Sequence, residues 1–263
     1  MEGSDQDRGL NLSLSVAKAL AILEFVGLNG ESGLAQIAAA TKLPKSTLHR
    51  LINTLVEEGF LRRTAYGQYR VTVKLWRIGA SAVDYESVRE SARDVLEGLV
   101  RATSETAHYA VYEGGWSVYV EKIDGVHPIR AYTTVGGRSP AYASATGKAL
   151  LAWRGASEIA HVGESAERFT PTTQVGAEPL LAHAEAIRQA GVAINRGEWR
   201  ADVWGVGAPI FGPAGDVVAA IGVSGPAARV ETNLERYVEA VREAAGRLSS
   251  LDGPTGHAAE RGG

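Results

Sequence analysis

The chain has 263 residues, 45% of them hydrophobic and 22% charged, with no cysteine and a net charge of −3. That length fits one large domain or two ordinary ones with full cores, the absence of cysteine excludes disulfides and thiolate metal sites, and no run of about 18 uninterrupted apolar residues offers a membrane span. The net charge argues against nucleic acid, but residues 10–80 carry nine Lys/Arg against Glu24, Glu31, Glu57 and Glu58, a net +5, whereas residues 81–263 are net −6, the asymmetry of a basic module on an acidic body.

The opening "MEGSDQDRGLNL" is acidic and polar. It lacks the basic start and apolar core of a signal peptide, so residues 1–11 are expected to be a disordered tail and the protein to be cytoplasmic. From Leu14 to Leu28 the apolar positions 16, 19, 20, 22, 23 and 26 follow a helical period. Ser13 or Ser15 suits the start of that helix, and Asn29-Gly30 its end. Leu34, Ile37 and Ala38 mark a short second helix, and Lys42-Leu43-Pro44 a turn. A third helix is expected over Pro44–Glu58, with Pro44 at its first position. Its inward face is Leu48, Leu51, Ile52, Leu55 and Val56. The opposite face carries Lys45, Ser46, Thr47, His49, Arg50 and Asn53, donors sized for phosphates and base edges, and the helix N-terminus adds its own attraction for phosphate. Arg50 is the leading candidate for a base or phosphate contact. Residues 60–63 and 68–73 then alternate as two strands joined around Ala65-Tyr66-Gly67, where Gly67 can supply a positive φ. Arg62, Arg63 and Arg70 place positive charge on this hairpin, and Tyr69 is assigned to the core beneath it. Helix, turn, helix and basic hairpin make a winged helix-turn-helix, which lays its third helix in the DNA major groove.

Residues 80–104, with Val83, Val88, Ala92, Leu96, Leu99 and Val100 separated by Glu and Arg, predict a connector helix able to pair with its copy in a dimer. From Thr106 the period changes to two. "AHYAVYEG", "WSVYVEKID" and "PIRAYTTV" read as strands divided by Gly114-Gly115 and Gly125. Thr146–Trp153 and Glu178–Ala190 read as helices. "GVGAPIF" and "DVVAAIGVSG" form a late strand pair around Gly212-Pro213-Ala214-Gly215, and Val230–Leu251 a closing helix. Strands flanked by helices over 105–251 imply an α+β sensor domain with an antiparallel sheet. The Gly-rich stretch 252–263 is expected to be disordered. Within the sensor, Ser144-Ala145-Thr146-Gly147 opens a helix whose free amides and two hydroxyls suit a carboxylate.

Catalytic patterns fail on inspection. "ATGKA" lacks the first Gly and the last Ser/Thr of a phosphate loop, because Tyr142 and Ala149 stand there. Ser224 has glycines at the wrong offsets for a nucleophile elbow. Gly205-Val206-Gly207 runs into Ala-Pro-Ile, and the histidines at 49, 108, 127, 161, 183 and 257 show no metal-binding pairing. No catalytic residue, metal or cofactor is expected. A hydrolase in the C-terminal half, or a DNA-bound protein whose C-terminal half is purely structural, are the competing readings.

"GLAQIAAATKLPKSTLHRLINTLVEEGFL" followed by "GQYRVTVKLWRIG" resembles the DNA-binding domain of IclR-type transcriptional regulators. "VGGRSPAYASATGKALLAW", "FTPTT", "GVAINRGEW" and "GAPIFGPAGDVVAAIGVSGP" resemble their GAF-like effector domain. The resemblance spans roughly Leu12 to Leu251. It implies a winged helix-turn-helix over 12–79, a linker helix over 80–104 and a GAF-like domain with an antiparallel sheet over 105–251. It also implies a homodimer or tetramer on a double-stranded operator, governed by a small organic effector, often a carboxylic acid. Carried onto this sequence, the acid pocket uses Ala145 and Thr146, with Asn195, Val203, Gly205, Gly222 and Ser224 lining it and Ala131 on its wall. Ser144 adds a hydroxyl. Family members often have Asp at Asn195, Gly at Asp202, Cys at Gly205 and Ser at Gly222. The expected cavity is therefore wider and less polar, flanked by Trp204, Tyr142 and Tyr132, and suited to a bulkier or aromatic acid rather than a two- or three-carbon one.

Overall fold

The computed structural model describes residues 13–79 and 85–251. The expected tails at 1–11 and 252–263, and Val83 of the expected connector, lie outside them. The chain divides between Asp84 and Tyr85 into two compact units.

The first unit runs α1 (Leu14–Asn29), α2 (Leu34–Thr41), α3 (Lys45–Glu57), β1 (Leu61–Arg63), β2 (Tyr69–Val71) and α4 (Val73–Gly79). Its core gathers Ile22 and Val26 from α1, Ile37 from α2, Leu48, Leu51, Ile52 and Leu55 from α3, and Leu61 and Tyr69 from the hairpin. Ser13 stands at the start of α1, but its hydroxyl makes no capping bond. The end is as expected: Gly30 takes a left-handed φ of 73°. Pro44 is extended (φ −57°, ψ 141°) and precedes α3 instead of opening it. Proline fixes φ but leaves ψ free, and here its carbonyl accepts the first intrahelical bond, from Leu48 N at 2.9 Å. The second strand stops two residues earlier than expected. The Thr72 hydroxyl donates to Gly59 O at 2.5 Å and accepts from Lys74 N at 3.2 Å, so Val73 begins the unforeseen α4.

The second unit runs α5 (Tyr85–Thr103), β3 (Thr106–Glu113), β4 (Trp116–Ile123), β5 (Arg138–Pro140), α6 (Ala145–Leu151), α7 (Ala156–Glu164) and α8 (Ala177–Ala190). It continues with β6 (Ala193–Arg196), β7 (Val203–Phe211), β8 (Val217–Pro226), α9 (Ala227–Thr232) and α10 (Leu234–Leu251). The strands form one antiparallel sheet in the order β5-β4-β3-β8-β7-β6. α5 buries Ala92, Val95, Leu96, Leu99 and Val100 and packs with α10 on this sheet. It therefore packs within the second unit, which begins at Tyr85.

Two expectations are corrected here. "PIRAYTTV" is a loop, because side chains take its backbone carbonyls: Arg229 donates to Ile129 O and Lys122 to Thr133 O, at 2.8 and 2.7 Å. The edge of the sheet passes instead to the short β5. The closing helix breaks at Asn233, whose Nδ2 donates to Arg229 O at 2.8 Å and ends α9. Val230 therefore lies on α9. α7 and β6 were not anticipated.

Candidate functional site

The amphipathic period of α3 separates its two faces cleanly. Leu48, Leu51, Ile52 and Leu55 are buried, while Lys45, Ser46, His49, Arg50 and Asn53 are exposed and Thr47 is half-buried. On the wing, Arg62 lies directly across the ladder from Arg70, and Arg63 from Tyr69. All three arginines are exposed. Like charges opposed across a ladder repel, and Arg70 meets Glu31 only at 3.9 Å, with both side chains open to solvent. The wing therefore holds positive charge in want of an anion. Tyr69 is buried beneath it, as expected, and Tyr66 stands at its tip, 90% exposed.

In the second unit, α6 lies directly on the sheet. A Cβ added to Gly207 would come within 2.6 Å of the Ala145 backbone, and one on Gly147 within 2.5 Å of Ala141 Cα. Glycine at these positions lets the start of α6 touch β7. Beside this contact opens a cleft of about 530 Å³, its mouth included. Ser144, Ala145 and Thr146 line it from α6 and its N-terminal flank. Asn195, Val203, Gly205, Gly222 and Ser224 line it from β6, β7 and β8. Eight of the nine expected pocket residues thus come together. Ala131 is buried but is not in the lining, which its neighbours Tyr132 and Thr133 join.

The hydroxyls at the start of α6 are committed inward. Tyr119 OH donates to Ser139 Oγ at 3.0 Å, Ser139 to Ser144 Oγ at 2.9 Å, and Ser144 to Pro140 O at 3.0 Å. Thr146 Oγ1 shares a 2.9 Å bond with Ser117 Oγ. What remains for a guest is the set of first-turn amides, which have no partner within the helix. Asn195 Oδ1 accepts from Glu198 N at 2.9 Å, leaving Nδ2, a donor, for a guest.

A buried clamp shapes the rim of the cleft. Lys148 Nζ donates to both Glu198 carboxylate oxygens, at 2.8 and 2.6 Å, and to Ile194 O at 2.6 Å. Burial draws the Lys148 ammonium below its ordinary pKa, against the opposing pull of Glu198. Thr170 Oγ1 donates to Gly197 O at 2.7 Å and Thr173 Oγ1 to Glu198 O at 2.6 Å. These bonds fix the segment after Asn195, which carries Trp199 and Arg200 into the cleft lining. On the inner side, His108 Nε2 and Thr133 Oγ1 are 2.8 Å apart, and the imidazole lies 4.8 Å from the Tyr119 ring. Burial, helped by the charge of Lys122, holds the His108 pKa down at about 3, so the ring is neutral at pH 7. Burial also raises the Tyr119 phenol, with Ser139 and Arg200 acting the other way.

Residues 80–250 match the family model of the bacterial transcriptional regulator IclR C-terminal domain, and residues 15–65 that of the IclR helix-turn-helix domain. The chain belongs to the IclR family of transcriptional regulators. It is 31% identical over 257 residues to the regulator KdgR of Escherichia coli K12, covering 96% of this chain and 98% of that one. With XynR of the same organism it shares 33% over 240 residues, covering 89% and 95%. Among solved structures, Thermotoga maritima IclR superposes with a TM-score of 0.68 at 29% identity over 91% of this chain and 98% of its own. An IclR homologue from Microbacterium hydrocarbonoxydans, complexed with 4-hydroxybenzoate, gives 0.75 at 26% over 90% and 98%.

Within this IclR-family cleft, two expectations about shape need correcting. Gly222 does not widen it: a Cβ there would run into Val206 O and lie 3.1 Å from Thr146 Cγ2, so the space is already taken by strand and helix. The lining also takes in polar groups that the expected set left out, His108, Thr133 and Arg200. Of the three expected flanking aromatics only Tyr132 is present. Tyr142 bonds to Glu167 and stacks on Phe169 at 6.1 Å. Trp204, alternating with Gly205 along β7, points to the other face of the sheet. Arg200 falls one residue beyond "GVAINRGEW", and His108 is brought in only by register, opposite Gly222 in the ladder. Among the described residues no three His, Cys, Asp or Glu gather as a metal-ligand set, and no helix is long and apolar enough to cross a membrane.

Proposed function

We propose that this IclR-family regulator binds a palindromic operator as a homodimer or tetramer and that a small organic acid in the α6 cleft controls occupancy. Lys45, Ser46, Thr47, His49, Arg50 and Asn53 of α3 enter the major groove, and Arg62, Arg63 and Arg70 of the wing contact phosphates. The carrying observation is the exposed polar row of α3 standing over its buried apolar row. The effector meets Ser144, Ala145 and Thr146 on one side and Asn195, Val203, Gly205, Gly222 and Ser224 on the other, with Ala131 behind the wall. The first-turn amides of α6 and the Asn195 amide are donors for the oxygens of the acid. An aromatic acid is supported by the Tyr119, Tyr132 and Trp199 side chains in the lining and by the 4-hydroxybenzoate in the Microbacterium homologue. The acid binds one of two conformations better. That preference changes the spacing of paired reading helices, and one half-site is lost.

Selection from a pool of random duplexes with the full chain tests this. A discrete palindrome is expected, with occupancy altered by an acid. Arg50→Ala should weaken binding to that site and leave acid affinity unchanged. Salt-dependent, sequence-blind binding that no acid alters would favour a purely structural C-terminal half. A hydrolase reading has the His108–Thr133 pair in its favour, but an imidazole that resists protonation down to about pH 3 is a poor general base at neutral pH.

A further inference from the structure

Of the residues that line the α6 cleft, only Arg200 carries a full charge at neutral pH, and no Asp or Glu is among them. Its guanidinium lies 4.8 Å over the Trp199 ring, and among the described residues no carboxylate pairs with it. Its backbone is fixed from below. Glu198, two residues earlier, is held by Lys148, by Thr173 and by the Asn195 side chain. Arg200 thus follows a fixed backbone segment, while its own side chain is exposed and its planar fork is open to a guest. Such a fork matches a carboxylate in two parallel hydrogen bonds.

The inner side of the cleft is different. His108 is 3% exposed and already bonded to Thr133. Tyr119, against its ring, spends its hydroxyl on Ser139. A second anionic group beside them would be desolvated without a counter-charge, which is costly. A hydroxyl or other uncharged group there costs less, because no full charge is taken out of water.

We propose that Arg200 anchors the effector carboxylate and that the cleft consequently selects monoanionic acids over dianions and over uncharged isosteres. This rests on the reading of the cleft as the effector site. Two other candidates carry less. The groove lined by Tyr112, Trp116, Glu158 and Phe169 mixes acids with the nearby cations Arg138 and Arg154, and the exposed apolar loop around Ile129 and Tyr132 has nothing seated on it to say what covers it.

The test is calorimetric titration of the full chain with 4-hydroxybenzoate, its uncharged isostere 4-hydroxybenzamide, the dianion terephthalate, and pyruvate as a short monoacid. Wild type should bind a monoacid at least tenfold more tightly than the amide or the dianion. Arg200→Gln should lose about tenfold or more of that affinity, the scale of one charge-assisted hydrogen bond, and should no longer separate acid from amide. Arg200→Lys, keeping the charge without the fork, should fall between. The unfolding midpoint should stay unchanged in both. Ser224→Phe, which fills the cleft, should abolish binding in every case. If Arg200→Gln keeps both affinity and discrimination while Ser224→Phe abolishes binding, the role of Arg200 is overturned and the cleft reading stands. If Ser224→Phe binds normally, or no monoacid binds wild type, the cleft reading fails and this inference with it.

Discussion

Lys148→Met should be among the most damaging single changes in the effector unit. The ammonium it removes has three acceptors, two on Glu198 and one on Ile194, and the side chains of the ion pair are only 3% and 9% exposed. Methionine keeps much of the length but leaves a buried carboxylate without its cation and a carbonyl without its donor. Stranding one member of a buried pair costs about 3–5 kcal/mol. For a unit of this size each kcal/mol shifts the midpoint by roughly 2–4 °C, so a fall of about 6–20 °C is expected. Trp76 is the one tryptophan of the first unit and is 69% exposed. In a Trp76→Phe background, tryptophan fluorescence during thermal unfolding reports the second unit alone. The double variant Lys148→Met/Glu198→Leu should recover most of the loss, because removing both charges together is often neutral. A single variant that loses less than about 1 kcal/mol, or a double variant as unstable as the sum of its parts, would refute the clamp.

Two further outcomes follow from the electrostatics. His108 has a folded-state pKa of about 3 against 6.5 for the free side chain, so below pH 6.5 the unfolded chain takes up a proton that the folded one refuses. Its contribution is complete above that pH and is lost as pH falls toward 3, with a limiting slope of about 1.4 kcal/mol per unit. Urea unfolding of His108→Gln between pH 4.5 and 7.5 should show a flatter profile than wild type, and parallel profiles would contradict a buried neutral imidazole. On the wing, Arg62→Gln removes the cation facing Arg70. It should leave the first unit as stable or more stable by a few tenths of a kcal/mol while weakening DNA binding and reducing the salt slope by about one. Anisotropy against salt concentration measures this, and an unchanged slope would place Arg62 away from phosphate.

How much of this was visible in one dimension depended on whether the signal was local. The reading helix was legible because Leu48, Leu51, Ile52 and Leu55 repeat at helical spacing and every partner of that stripe lies within the same unit. "PIRAYTTV" misled because alternation tests only the side-chain pattern of a segment, whereas a strand also needs a neighbour for its backbone. Arg229, about a hundred residues away, supplies a donor to Ile129 O instead. The cleft residues divide the same way. Ala145 and Thr146 could be placed from a short motif. His108 needed the β3–β8 register, and Arg200 needed a clamp whose members are fifty residues apart in the chain.

The Lys148 case shows why a rejected motif can still be informative. "ATGKA" fails as a phosphate loop on its missing residues, and the structure gives the lysine a different task, as the cation buried under the cleft rim. Its Gly147 is required for a different reason as well: α6 must approach Ala141 and the sheet more closely than any side chain allows. The same contact explains Gly222. Small residues in a pocket motif suggest room for a ligand, but a glycine opposite a helix serves that helix first. Gly205 and Gly222 line the cleft because α6 lies against the sheet there, so the size of the guest is set by the distance between helix and rim and not by the sum of the side chains the glycines lack. On the proposed reading, specificity then falls to the groups on the rim and inner side, where Arg200 and the neutral His108 lie.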